Sequence, residues 1–391
     1  MNDLLNRLDE LYPEMVKLRR DFHQHPELSF QEIHTPKKIA NYLTNLGIEV
    51  KTNVGGNGVV GYIRGGKPGK TVALRADFDA LPIQDKKDVP YKSTVPGVMH
   101  ACGHDAHTTI LLAIAKVLSE IKEELEGNVV LIHQFGEEVS PGGAKPMIED
   151  GCLDGVDAIF GTHMWSGVPT GEIYYRSGAM MAGGGVFDLE IVGSGGHGSN
   201  PHDTVDPIMI GTSIVSQLQQ IISRRIDPLH PAVLSVTTFH SGQGYDVIPH
   251  SATISGSVRV YDNEVLDTII KHMESIISST CEGANATYTF QFKKGYPPVV
   301  NQEAETKLLI ENAIPIVGKD NVKVMQPVMA GEDFAYYLQE VPGTFFFTGS
   351  GNEEHGLIVP SHHPEFDIDE KSMVIGAKVL LSTALTYLRN H

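Results

Sequence analysis

The sequence predicts an α/β protein: a mixed sheet with helices on both faces, into which a smaller α+β domain is inserted. Three observations carry that expectation. Short apolar runs alternate with helical stretches through the first part of the chain, which is the pattern of a sheet buried on both faces. The middle changes to strands that alternate apolar and polar residues, in the order β-α-β-β-α-β. After Pro297 and Pro298 the first pattern returns. The expected larger domain is therefore discontinuous, 1–183 and 295–391, and the insert covers 184–294. A chain of 391 residues has room for both, since domains usually hold about 100–200 residues.

Residues 4–24 read as one amphipathic helix and 35–46 as a second. Apolar runs at 59–63, 71–76, 129–132 and 158–160 read as buried strands, with a helix over 106–124 among them. In the insert, 186–192 puts Phe187, Leu189 and Ile191 on one face and Asp188 and Glu190 on the other. Asp206 and Pro207 then serve as N-cap and first residue of a helix reaching Arg225. Strands at 233–239 and 253–260, a helix at 264–281 and a strand at 287–292 complete the insert. The last part supplies helices at 306–316 and 369–389 around a strand at 344–347.

A net charge of −18 argues against nucleic acid or an anionic membrane as the main partner, because both attract basic faces. The N-terminal residues mix charges into each turn, unlike a signal peptide, and the best apolar stretch, 110–118, is broken by Lys116. Three cysteines, an odd and sparse set, fit a reducing cytoplasm, the expected location.

Chemistry gathers in a few segments. Residues 99–107 hold His100, Cys102, His104, Asp105 and His107 just ahead of a helix. Thiolate and imidazole form a ligand pair for zinc-like ions, while the plainer reading is a buried cysteine beside N-capping side chains. Glu137 and Glu138 follow the strand at 129–132, and adjacent carboxylates repel unless they share a cation or a proton. An isolated Glu-Glu pair is usually a solvated loop; its place after a strand end, where open α/β sheets keep ligand sites, argues otherwise. His163 follows another strand, and His362 and His363 lie in a proline-bounded loop before the last helix. Asp79, after the strand at 71–76, reads either as a turn residue or as the partner that orients a ligating imidazole through its other nitrogen. Two glycine-rich runs, 56–61 and 193–198, match a dinucleotide fingerprint in letters only, since no helix N-terminus follows either. The second leaves His197 on a glycine-flanked loop.

Together the segments 20–28, 75–82, 99–107, 135–138, 161–163, 195–202, 331–334 and 362–364 resemble the aminoacylase-like metallo-amidohydrolases. That family contains hippurate hydrolases, auxin-conjugate hydrolases and bacterial N-acyl-amino-acid amidohydrolases. The resemblance implies two divalent ions, manganese or zinc, held by Cys102, His104, Glu138, His163 and His362, with Glu137 as general base. It implies an N-acyl amino acid substrate, a homodimer formed through the insert, and His197 contacting substrate in the partner's active site. Asp246 stands where the family usually has asparagine and inherits no role. Rival readings are a dipeptidase or carboxypeptidase of the same clan, a zinc-thiolate oxidoreductase, and a metal-dependent binding protein without catalysis. The presence of Glu137 argues against the last, because a pure binder needs no base beside its ligands.

Overall fold

The N-terminal helical stretch is broken by Pro13 in the computed structural model, which describes residues 1–391. Where one helix was expected, α1 (Asn2–Glu10) ends and α2 (Tyr12–Gln24) begins with Pro13 in its first turn. Proline lacks the N–H that would bond four residues back, and its ring crowds that carbonyl, so only a first turn tolerates it. There follow α3 (His34–Asn45), β1 (Glu49–Val54), β2 (Gly58–Arg64), β3 (Lys67–Asp77), α4 (His104–Glu120) and β4 (Glu126–Gln134). Then come α5 (Ala144–Glu149), β5 (Ala158–Pro169), β6 (Ile173–Tyr175) and β7 (Gly178–Met181). The insert contributes β8 (Gly183–Val192), β9 (Gly196–His197), α6 (Pro207–Arg224), β10 (Ala232–Ser241), β11 (Val247–Ile248), β12 (Ser251–Val260), α7 (Asn263–Gly283) and β13 (Thr287–Lys294). The chain returns through β14 (Val299–Asn301), α8 (Glu303–Val317), β15 (Val322–Val324), α9 (Phe334–Glu340), β16 (Gly343–Gly351) and α10 (Lys371–Asn390).

Two units result. The larger comprises Met1–Met180, Val300–Gln326 and Asp333–His391; the smaller comprises Met181–Val299 and Pro327–Glu332. The short second piece groups with the smaller unit because the Ala182 amide donates to the carbonyls of Val328 and Ala330.

The larger unit is built on a mixed sheet in the order β1-β2-β4-β3-β5-β16-β6-β15. Its strand β1, polar in sequence and buried only at Val54, lies at the edge, which is why the apolar-run criterion passes over it. At the other extreme all of β16 is buried, so the sheet is covered on both faces there. Helices α4 and α10 pack on β3, α3 packs on β1 and β2, and α9 packs on β5 and β16. The neighbours β4, β3 and β5 run parallel, so their C-terminal ends emerge on one side. That shared edge is where the chemistry assembles.

In the smaller unit the antiparallel order is β10-β12-β8-β13. Phe187, Leu189 and Ile191 of β8 meet Ile214, Leu218 and Ile221 of α6 and Ile269, Met273 and Ile277 of α7. Asp206 caps α6 by accepting from the Ile208 and Met209 amides, and Asp262 caps α7 by accepting from Glu264.

Candidate metal centre

Most of the proposed ligands in the larger unit come from element ends or loops, but His163, expected after a strand, lies within the longer β5. Cys102 precedes α4 and His104 opens it. Gly103 between them has φ +92, a left-handed conformation, and a Cβ there would stand 3.1 Å from the Cβ of Met164. Glu137 and Glu138 follow β4, and His163 lies on β5. His362 comes from the loop before α10, its backbone at φ +66 and its amide donating to the Ala101 carbonyl at 2.7 Å. A bulky residue at positive φ is strained and persists only where its surroundings enforce it.

The side chains converge. Cys102 Sγ is 3.4 Å from His163 Nε2. His104 Nε2 lies 3.7 Å from Glu138 Oε1 and 4.0 Å from Glu137 Oε2. His362 Nε2 lies 3.3 Å from Glu138 Oε2. Cys102 belongs to two donor groups at once, one with His104 and His163 and one with Glu138 and His362.

The imidazoles are aimed by what their other nitrogens do. His104 Nδ1 meets Asp79 Oδ1 at 3.1 Å, and His163 Nδ1 donates to the Met164 carbonyl at 2.7 Å. Both therefore present Nε2 to the cluster. The buried Nε2 of His104 and Oε1 of Glu138 have no hydrogen-bond partner. Buried polar atoms in that state are costly, and a cation among these donors satisfies both, so the donor set fits a soft-to-borderline divalent ion.

Electrostatics point the same way. Burial opposes a charge on His104, but Asp77, Asp79 and Cys102 raise its pKa well above the ordinary histidine range. Hydrogen bonds to Cys102 and Glu138 push His362 up to about 10. The field of the cluster draws positive charge. Burial pushes the Cys102 thiol up and holds His163 well below its usual value.

Not every residue of the histidine-rich segment joins in. His107 Nδ1 meets Asp77 Oδ1 at 2.6 Å and its Nε2 accepts the Met164 amide at 2.8 Å, so both nitrogens are engaged, one by Asp77 and one by the neighbour of His163. His100 is fully enclosed, and burial lowers it to about 4. Asp105 turns away toward Arg19 at 2.9 Å and His23 at 2.7 Å. His363 uses Nδ1 to accept from the Glu365 amide. Trp165, two residues past His163, stacks on Phe347 at 4.4 Å and meets the His163 ring edge-on at 6.0 Å. In the smaller unit His197 is exposed on β9, which pairs with β11, and its Nδ1 accepts from the Ser199 amide at 3.0 Å.

Asp77, Arg75 and Asp333 form a buried chain that sequence reasoning left without a role. Arg75 donates to Asp77 and to Asp333, each at 2.7 Å. The Arg75–Asp77 spacing of two puts both on one face of a strand, and that signal was there to be used.

A mixed sheet whose parallel strand ends gather thiol, imidazole and carboxylate donors around unpaired buried atoms defines a metallohydrolase site. The family model described as peptidase family M20/M25/M40 matches residues 73–386, and the chain belongs to that family of metal-dependent hydrolases of amide bonds. YhaA of Bacillus subtilis, named as an amidohydrolase, is 51% identical over 385 residues, spanning 98% of this chain and 97% of its own. Thermostable carboxypeptidase 1 of Saccharolobus solfataricus is 43% identical over 377 residues, 96% of this chain and 95% of its own. IAA-amino acid hydrolase ILR1-like 4 of Arabidopsis thaliana is 40% identical over 388 residues, 98% of this chain and 88% of its own. A solved Bacillus subtilis structure, described as a dinuclear metal-binding peptidase of the M20 family, is 33% identical with a TM-score of 0.85, covering 98% of this chain and 99% of its own. No helix is long and apolar enough to cross a membrane.

Proposed function

We propose that the chain hydrolyses the amide bond of N-acyl amino acids, with Cys102, His104, Glu138, His163 and His362 holding two divalent ions, manganese or zinc. The observation that carries this reading is the convergence of those donors beside Glu137, with His104 Nε2 and Glu138 Oε1 left for a cation. When bound, such ions polarise the amide carbonyl and acidify a water. Glu137, 4.0 Å from His104 Nε2, accepts the proton of the attacking water and passes it to the leaving amine. Asp79 fixes the tautomer of His104. His197 accepts on Nδ1, so a neutral ring carries its proton on Nε2 and has a donor for an oxyanion. The smaller unit is read as a lid and dimerisation domain that offers this donor to the partner's site.

The names of the relatives share one demand. An IAA-amino acid hydrolase and a carboxypeptidase both release an amino acid with a free carboxylate. The carboxypeptidase reading is the second one, favoured by the Saccharolobus relative. Comparing kcat/KM for N-acetyl and N-benzoyl amino acids with dipeptides decides between them: the proposal expects the N-acyl substrates to lead, and faster dipeptide cleavage overturns it. For the site itself, Glu137→Gln is expected to keep both metals and lose at least about 100-fold in kcat, since general base catalysis contributes about 10²–10⁴-fold. Loss of metal by this variant, measured by elemental analysis, would show that Glu137 is a ligand instead.

A further inference from the structure

The residues so far assigned to chemistry leave one segment unexplained. The connection between α2 and α3 buries Ser29 and Glu32 and holds Phe30 at φ +65, a conformation that a bulky side chain rarely adopts. It is tied at both ends. The Glu27 carboxylate accepts the amides of Ile33, His34 and Thr35, and the Glu27 carbonyl accepts the Ala80 amide at 2.9 Å. From this fixed base two side chains reach toward the site. Glu32 Oε1 accepts the Gly136 amide at 3.0 Å, and its Oε2 accepts Asn57 Nδ2 at 3.0 Å. Ser29 Oγ donates to Asp79 Oδ2 at 2.7 Å, and the same oxygen accepts the Glu138 amide at 3.0 Å.

The amides on either side of Glu137 are thus each taken by a buried carboxylate, that of Gly136 by Glu32 and that of Glu138 by Asp79. Phe30 adds a wall. Its ring meets Phe135 edge-on at 5.5 Å, and a Cβ on Gly136, itself at φ +65, would lie 3.1 Å from it. We propose that the segment from Glu27 to Glu32 is a clamp that fixes the backbone of residues 135–138, with Glu32 and Ser29 as positioning residues for the Glu137 carboxylate. The inference rests on the reading of Glu137 as the proton acceptor. The Glu137 side chain is buried on its two-methylene stem, so a shift of the backbone that carries it displaces the carboxylate.

The test uses the full chain loaded with manganese. Glu32→Ala is expected to keep its metal and its KM while kcat falls by about 10- to 100-fold, the cost of a misplaced reacting group. Glu32→Gln restores most of the rate, because its amide oxygen accepts from Gly136 and Asn57 turns its amide over to accept from its nitrogen. Amide exchange supplies a readout independent of turnover. The Gly136 amide is expected to exchange slowly in the parent chain and at least about ten-fold faster in Glu32→Ala, with Glu138 unchanged. Wild-type kcat in folded Glu32→Ala, or a Gly136 amide in the parent chain that exchanges as fast as an open loop, overturns the clamp. Should Glu32→Ala not fold, Ser29→Ala and the parent chain's exchange decide the matter: Ser29→Ala lowers kcat with KM held if the clamp is real, and unchanged kcat counts against it. A fully active Glu137→Gln would instead overturn the reading of the base, and slow exchange at Gly136 would leave the clamp as a structural fact.

Discussion

From Met181 to Val299 every fully enclosed side chain is apolar, Phe187, Ile191, Ile214, Ile269 and Met273 among them, whereas the larger unit encloses Arg19, Arg75, Asp77, Asp105 and Asp333. The first arrangement gains stability from area removed from water, at about 25 cal/mol per Å². The second forfeits solvation, and well-made ion pairs recover that loss only partly. What the larger unit gains is geometry. Arg19 meets Asp105, Asp367 and Glu370, and Asp105 is the residue next to His104. Arg75 meets Asp77, which holds His107, which in turn holds the amide of Met164 next to His163. Charges are buried where ligand side chains have to be aimed, and nowhere from Met181 to Val299, which holds none of the proposed ligands.

The widest gap between the two regions should open at Arg19. Arg19→Met leaves Asp105 and Asp367 buried without their cation, and is expected to cost about 3–5 kcal/mol in chemical denaturation. It also moves the acid limit. Burial works against the Asp105 charge, but Arg19 and His23 hold its pKa well below the usual carboxylate range. A depressed folded pKa gives stability that is present above about pH 4 and lost as pH falls through the folded value. Without Arg19 the loss should begin at higher pH, while exchange protection over 181–299 keeps its own acid limit.

Ile269→Ala probes the other region. It should cost about 2–5 kcal/mol through the cavity it leaves, with a cost that does not vary with pH. Metal content per folded chain should be unchanged, and a fall in that content would break the comparison. The smallest effect belongs to the cap of α7: Asp262→Ala should cost about 1 kcal/mol in thermal melts and leave kcat alone.

How much of this was legible beforehand follows from the same contrast. The smaller unit's elements could be read because alternation and capping are local: Phe187, Leu189 and Ile191 against Asp188 and Glu190, and Asp206 before Pro207. In the larger unit the central strands were visible as apolar runs, but β1 was not, since an edge strand needs no apolar face on its outer side. The break at Leu11 was signalled by Pro13, and the helical periodicity of its neighbours outweighed it. For the site, spacing alone could not separate His104 from His107, because what divides them is what their ring nitrogens meet: Asp79 on one side of His104, Asp77 and the Met164 amide on the two sides of His107. Asp77 ends β3 and Asp79 follows it, both far off in sequence from the histidines. Glu32 and Ser29 were harder still: Glu32 accepts a backbone amide, which leaves no mark in the letters, and Ser29 reaches Asp79 from far off in sequence.

The chain contains a single tryptophan, and Trp165 stands edge-on to the His163 ring while stacked on Phe347. Indole emission from this protein therefore originates at one spot, beside a proposed ligand. Excited at the red edge of the absorption band, where tyrosine is dark, the molecule carries its own optical probe of metal loading. Titrating manganese or zinc against that signal would count binding events without any substrate, and residues 181–299 would contribute no background to it.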